Sequence, residues 1–287
     1  NLTTASSIAR SRESRYAARV FHLNDLARGQ DMDQFEGKVA VITGGASGLG
    51  RATAEMIVAH GGKVAILDLN EDLAKATAEE IGNSAAYQVN VTDDASVTAA
   101  IEKIHADFGA IHINVNCAGI GAASRTVGRE GALDIAKFNF IIQVNLIGTF
   151  SVLSKCAAIM QVNEPEGEAL ERGVVINTAS VAAYDGQIGQ AAYSASKAGV
   201  AGMTLPIARD LSRQGVRICT IAPGIFNTPM MAGAPDQVRD PLIEMVQYPK
   251  RLGLPPEFAS LSKQIVENPY LNGETIRLDG GIRMAPK

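Results

Sequence analysis

The sequence predicts an α/β chain built on a single doubly wound, mainly parallel sheet, and three observations carry that expectation. Short apolar runs rich in β-branched residues alternate along the chain with longer amphipathic segments. The runs are apolar throughout rather than at every second position, the pattern of strands covered by helices on both faces. Length agrees: 287 residues exceed the usual single domain but suit one large α/β unit.

Taken in order, residues 39–42 form the first strand, glycines follow, and 51–60 read as a helix. A second strand at 63–67 ends at Asp68, and 72–81 is the next helix. The third strand lies at 86–89, with a helix from about 95 to 108. Residues 111–116, 173–178, 216–222 and 275–278 complete seven strands, separated by helices at 135–158, 191–214 and 256–267. In such a sheet ligands lie at the carboxyl ends of the strands. No internal repeat or low-complexity segment interrupts the pattern.

Composition narrows the function classes. With 46% hydrophobic and 20% charged residues, general disorder is excluded. A net charge of −4 and the absence of Trp argue against general nucleic-acid binding and base-stacking platforms, while leaving a local basic patch open. Cys117, Cys156 and Cys219 are odd in number and form no C-x-x-C pair, so a reducing compartment without structural disulfides is expected. His22, His60, His105 and His112 lack metal-ligand spacing, and no metal site is expected. The longest charge-free stretch, 138–154, contains Asn139, Gln143 and Asn145 and is too short and polar to span a bilayer; a soluble protein with no membrane partner is expected.

The charge is unevenly distributed. Residues 1–31 sum to +2, with Arg10, Arg12, Arg15, Arg19 and Arg28, whereas 32–287 sum to −6. The expected organisation is a basic extension at 1–35 and one catalytic domain at 36–287. An Arg- and Ser-rich, acid-poor extension resembles a mitochondrial transit peptide, which would direct the chain to the matrix. A docked arm, or an extension upstream of a natural start at Met32, competes with that reading, and the cytoplasm is the expected compartment, with the matrix as the alternative.

The first strand runs into Thr43-Gly44-Gly45-Ala46-Ser47-Gly48-Leu49-Gly50, immediately before a helix. Glycines there permit a tight turn and let backbone approach a dinucleotide pyrophosphate, whose charge the helix N-terminus favours. Glycines can also merely end a strand; the position between first strand and first helix gives these their weight. Asp68 stands 18 residues after Gly50 and ends the second strand. A carboxylate there accepts hydrogen bonds from ribose hydroxyls and repels a 2′-phosphate, so NAD is favoured over NADP, and no Arg flanks Asp68 to reverse that preference. The alternative is a helix N-cap.

Tyr193 and Lys197 are four residues apart and share a helical face. A tyrosine with a pKa of about 10 exchanges protons poorly near neutrality, and a neighbouring ammonium is expected to lower it. Tyr193 can then take an alcohol proton while hydride leaves for a nicotinamide. An isolated Tyr-x-x-x-Lys is commonly a surface pair. Here Ser180 ends the fifth strand, placed to bond the oxygen where charge develops, and Asn145 sits in an apolar helix where its amide needs a polar partner.

The spacing T-G-x-x-x-G-x-G together with Tyr193-x-x-x-Lys197 resembles the short-chain dehydrogenase/reductase family, which implies a Rossmann domain. The same likeness extends to Asn116-Cys117-Ala118-Gly119, similar to the family's N-N-A-G signature with Cys117 as a departure, and to Pro223-Gly224 with Phe226 and Thr228, similar to its nicotinamide loop. It implies that Asn145 holds a water against Lys197, that Ser180, Gln187 and Tyr193 meet the substrate, and that Gly44, Ser47, Gly48, Leu49 and Gly50 hold the cofactor. Asn90-Val91 replaces a common Asp-Val at the adenine; Asn still donates and accepts, so adenine binding is expected to persist.

Residues 161–165, 176–183, 189–197, 202–210 and 271–279, and the long loops 121–134 and 161–173, are similar to the branch of that family acting on 3-hydroxyacyl-CoA thioesters. The resemblance implies an NAD-dependent homotetramer oxidising (S)-3-hydroxyacyl-CoA, including 2-methyl-3-hydroxybutyryl-CoA, to 3-oxoacyl-CoA. An alcohol or hydroxysteroid dehydrogenase on the same scaffold is the alternative. A non-catalytic scaffold subunit is disfavoured because Asn145, Ser180, Tyr193 and Lys197 are all present. The segment 226–254, with Met230, Met231 and Met245, reads as a pliable substrate lid or as ordinary packing. Lys250 and Arg251 would meet CoA phosphates or lie solvated.

Overall fold

Strands β1 (Val39–Thr43), β2 (Lys63–Asp68), β3 (Ser84–Gln88), β4 (Ile113–Asn116), β5 (Gly173–Thr178), β6 (Val216–Pro223) and β7 (Thr275–Leu278) pair in parallel in the spatial order 3-2-1-4-5-6-7. This is a computed structural model, and it describes residues 34–232 and 236–286. The basic segment 1–31, and with it the targeting, docked-arm and upstream-start alternatives, lies outside the described residues.

The strands are apolar at consecutive positions because both faces are covered. On one face Ala40 and Ile42 meet α1 (Gly48–Ala59) and α2 (Glu71–Ile81), with Phe258 and Ile265 of α8 (Pro255–Glu267). On the other, Val41 and Val175 meet α3 (Asp94–Phe108), α5 (Gly148–Met160) and α6 (Ala191–Asp210). The order of the strands reverses between β1 and β4, which opens a crevice at their carboxyl ends.

Local chemistry sets the helix starts. The Asn70 side chain accepts from Leu73 N at 3.0 Å to begin α2, and Asp93 accepts from Ala95 N at 3.0 Å to begin α3. Asp134 does the same for α4 (Ile135–Ile142), accepting from Ala136 N at 2.9 Å. Each such cap contributes about 1 kcal/mol.

The structure departs from expectation at several boundaries. Helix α1 starts at Gly48, three residues before 51, so that its first turn grows directly from the glycine loop. The third strand is Ser84–Gln88, shifted towards the N-terminus. Helix α6 ends at Asp210, a 3-10 turn covers Ser212–Gln214, and Gly215 at φ 69° closes it. The long helix expected at 135–158 extends to Met160 and contains a π-turn, Gln143–Ile147, between α4 and α5. This helix is long and apolar enough to cross a bilayer, contrary to the expectation, but half of the qualifying stretch is buried inside the fold, as in a core helix. Between β6 and α8 lie a helical turn, Pro229–Ala232, and α7 (Asp236–Met245). All three cysteines are free thiols, and no His, Cys, Asp or Glu cluster among the described residues could hold a metal.

Candidate active site

The loop after β1 has the shape only glycine permits. Gly44 adopts φ +61°, and a Cβ on it would stand 3.0 Å from Ala118 N; a Cβ on Gly50 would stand 2.3 Å from the Gly44 carbonyl oxygen. Gly48, at φ +54°, lies against Thr228, whose side chain would be 3.4 Å from a Cβ there. The Ser47 side chain makes no cap bond, unlike the caps of α2, α3 and α4, and the first turn of α1 holds no acid, unlike those of α2 and α3. The first turn of α1 is therefore left without a side-chain cap or an acidic partner, as at helix starts that receive an anion.

Asp68 borders this loop, Oδ2 accepting from Ala46 N at 3.3 Å and Oδ1 from Asn70 N at 3.1 Å. It is not the helix cap, since Asn70 holds that position. Asn90 turns its amide oxygen inward, accepting from Thr92 N at 3.0 Å and Thr92 Oγ1 at 2.8 Å, so that oxygen is already engaged by its own turn. Val91 packs where a Cβ on Gly148 would lie 2.9 Å away.

At the end of β4, Cys117 N donates to Thr43 O and Ala118 N to Thr43 Oγ1, both at 3.1 Å, which fastens this turn to β1. Gly119 leaves its backbone against the reacting groups: a Cβ there would be 3.2 Å from Asn145 Oδ1 and 3.4 Å from Lys197 Nζ. Asn116 donates to Asn114 at 2.8 Å and to Asn177 at 2.9 Å, a buried amide row joining β4 to β5. Burial pushes the Cys117 thiol up to about 11, and Thr178 Oγ1 donates to its sulfur at 3.5 Å. An inert thiol thus stands where the family signature has a second Asn.

Lys197 is only 5% exposed, and its Nζ donates to the Thr178 carbonyl at 2.8 Å. Burial lowers its pKa to about 8. Tyr193 lies one turn away with its ring centre 6.0 Å from Nζ. Burial raises the phenol above its ordinary value, an effect the Ser180 hydroxyl bonded to it partly offsets. The expected lowering by Lys197 is therefore corrected: the ammonium bonds a carbonyl rather than the phenol, and desolvation dominates. Asn145, fully buried in the π-turn, accepts from Ile120 N at 2.8 Å and donates to Ile120 O at 3.0 Å and Ser196 Oγ at 3.1 Å. The π-turn is a local widening of the helix at the residue whose side chain makes these bonds.

The remaining predicted residues fall around this centre. Gly224 N, after Pro223, donates to Leu278 O at 2.9 Å, and the Phe226 ring packs against Gly253. Gln187 Nε2 donates to Ala285 O at 3.0 Å. Arg251 forms a two-point pair with Glu257 at 2.8 Å for each contact, and Lys250 Nζ bonds Glu244 O at 2.9 Å, so both cations have local partners. Thr43, Asn114 and Ser196 escaped sequence reasoning; only the alternation Ile113-Asn-Val-Asn116 in an apolar strand hinted at one of them.

The glycine turn and the Tyr193–Lys197 pair lie at the carboxyl ends of one parallel sheet, where ligands of such folds bind, and similarity to known dehydrogenases identifies the class as an oxidoreductase. Residues 38–239 match the short chain dehydrogenase family, and the chain belongs to it. It is 51% identical over 251 residues to the 3-hydroxyacyl-CoA dehydrogenase type-2 of Drosophila melanogaster, covering 86% of this chain and 98% of the fly protein. To the Homo sapiens protein of that name it is 50% identical over 254 residues, or 88% and 97% of the two chains. A crystal structure of 3-hydroxyacyl-CoA dehydrogenase type-2 from Mycobacterium avium superposes with a TM-score of 0.83 at 43% identity, covering 88% of this chain and 99% of that one. Family membership brings a nicotinamide cofactor and a small-molecule substrate.

Proposed function

We propose that the chain oxidises (S)-3-hydroxyacyl-CoA thioesters, 2-methyl-branched ones included, to 3-oxoacyl-CoA with NAD, and catalyses the reverse. The observation that carries this is identity of about half over nearly the full length of relatives bearing that activity in their name. NAD rather than NADP rests on Asp68, whose carboxylate borders the loop that would hold the ribose and pyrophosphate.

The residues fit the cofactor. The glycine turn is a cradle that any Cβ at Gly44 or Gly50 would fill, and the uncapped start of α1 offers N–H donors to phosphate. When bound, nicotinamide supplies the hydride acceptor or donor. Ser180 holds the substrate oxygen, and Tyr193 Oη takes or returns its proton. The raised phenol keeps its proton at rest, poised to donate during carbonyl reduction. In the oxidative direction that proton must first leave, and Lys197, with a pKa near 8, is the neighbouring group able to pass protons near neutrality. The Thr178 carbonyl fixes the lysine side of this relay.

A homotetramer is part of the proposal: Phe140, Ile147 and Phe150 leave an apolar face exposed along α4 and α5, continued by Leu205 on α6. The compartment follows residues 1–31: mitochondrial matrix if they target, cytoplasm otherwise. Steady-state kinetics with acetoacetyl-CoA, free ketones and steroids, each with NADH and NADPH, tests the function. The expected result is the highest kcat/KM for acetoacetyl-CoA with NADH. Higher values on free carbonyl compounds would overturn the thioester assignment, and preference for NADPH would overturn the role given to Asp68.

A further inference from the structure

Residues 275–286 tie the segment that follows Ser180 to the end of α7. Strand β7 pairs with β6 so that Arg277 lies opposite Ala222 and Leu278 opposite Pro223, beside the predicted nicotinamide loop. From there the guanidinium reaches three ways. Nη2 donates to Asp185 Oδ2 at 2.6 Å and to Ile282 O at 3.0 Å, and Nε donates to Asp279 Oδ2 at 2.8 Å. The same group sits 5.3 Å from the centre of the Tyr184 ring. Both carboxylates are shielded, with side-chain exposures of 21% for Asp185 and 9% for Asp279, so these contacts are stronger than exposed surface pairs.

Asp185 belongs to the loop that starts one residue after Ser180. Its far end is held by the chain terminus as well: Gln187 Nε2 donates to Ala285 O and Ile188 N to Pro286 O, both at 3.0 Å. The opposite wall, the end of α7, is held by the same segment. Gln247 N donates to Gly280 O at 3.0 Å, and Ala285 N bonds the Met245 sulfur at 3.3 Å. Ile282 is fully buried between Val181 and Val246 in an apolar cluster separate from the two main cores. One strap, residues 279–286, thus joins the loop carrying Tyr184 to Gln187 with the helix carrying Met245.

We propose that Arg277 is a positioning residue for substrate: through Asp185, Asp279 and the strap it fixes the distance between the two walls that close on the acyl thioester. This rests on the proposed function only in taking residues 181–190 and the end of α7 as the substrate walls. The guanidinium fork is required because two carboxylates and a carbonyl are met in fixed directions, which a lysine ammonium reproduces only partly. Loss of Arg277 also leaves Asp185 without its cation, while Asp279 keeps Arg283, so the tie between the loop and the strap is lost.

The test is kinetics of Arg277→Met and Asp185→Asn with acetoacetyl-CoA and NADH, alongside NADH affinity by fluorescence titration. Expected for Arg277→Met is a KM raised about tenfold with kcat changed less than about twofold and NADH affinity intact. Asp185→Asn, which keeps the side-chain shape, raises KM in the same sense, and the double variant is no worse than Arg277→Met alone because the two act through one contact. Arg277→Lys recovers part of the loss. Arg283→Met, which removes an exposed partner of Asp279, leaves KM within about twofold. An unchanged KM in Arg277→Met, NADH affinity falling in step with KM, or additive effects in the double variant would each overturn the proposal. If the unmodified enzyme fails to reduce acetoacetyl-CoA, the proposed function falls instead, and the same KM comparison is read on the ketone it does reduce.

Discussion

The two ends of the sheet solve opposite problems with the same kinds of side chain. At the amino ends of the strands a cavity of about 410 Å³ opens between Phe35, Lys38, His112, Glu166 and Arg172, and its charges are matched. Lys38 pairs with Glu166, and the buried Arg217 pairs with Glu171 while donating to the carbonyls of Ile265, Val266 and Leu271. At the carboxyl ends the electrostatic setting is harsher. Lys197 is buried against a carbonyl and a thiol rather than a carboxylate, and its pKa falls to about 8. Room alone does not mark a site. A cation held without a neutralising partner is destabilising, and such strain persists where the group has a chemical task.

The comparison breaks first at Tyr193. Removing its hydroxyl by Tyr193→Phe deletes the acid/base while leaving the pocket shape, so kcat is expected to fall about 10³-fold or more, with NADH binding retained in a fluorescence titration. A variant of near-normal kcat would show that the carboxyl-end constellation is not the proton-transfer group. The next largest effect is expected of Lys197→Met, with kcat down about 10²-fold and the dependence of rate on pH around 8 flattened. Stability gives an independent reading. The folded pKa of about 8 lies below the ordinary 10.5, so the unfolded chain binds the proton more readily. Lys197 therefore weakens the fold below pH 8, and stability recovers as pH rises from about 8 towards 10.5. Urea unfolding at about pH 7.5 and about pH 9.5 should show that gain in the native protein and a smaller one in Lys197→Met. Equal gains in both would mean that Lys197 is not held as a buried, half-neutral amine.

What the sequence made legible at the carboxyl end was whatever is local along the chain. Gly44, Gly48 and Gly50 fall within one turn, and Tyr193 and Lys197 within one helical turn, so spacing alone placed each group. The strand ends holding Asp68 and Asn116 followed from apolar runs, whereas Ser180, expected to end the fifth strand, lies two residues beyond it and caps the 3-10 turn Val181–Ala183. Contacts between distant residues left no periodic trace: Ser196 meets Asn145 across 51 positions, and Arg277 meets Asp185 across 92. The π-turn at Gln143–Ile147 has no compositional mark, since one extra residue in a turn changes neither hydropathy nor propensity. The direction of the Tyr193 shift was misread for a related reason. A neighbouring charge is visible in spacing, but the depth of burial that outweighs it appears only once α6 is packed against β5 and its neighbours.

The smallest expected effect lies at the amino end and tests the other half of the comparison. Glu166→Gln removes the partner of Lys38 while preserving shape; the two side chains are 25% and 51% exposed, so water screens much of their attraction. Stability should change by less than about 1 kcal/mol in urea unfolding, and kcat/KM by less than about twofold. His112 is the group most sensitive to the change. Its Nδ1 accepts from Val39 N at 3.1 Å, and burial together with Lys38 already holds its pKa below the ordinary value against the opposing pull of Glu166. Without that carboxylate the imidazole is held neutral still more firmly, which keeps the bond to β1 and leaves the strand start undisturbed. A large loss of activity in Glu166→Gln would mean that charge balance at the amino end reaches the site through β1 and β4, and the division of labour between the two ends would fail.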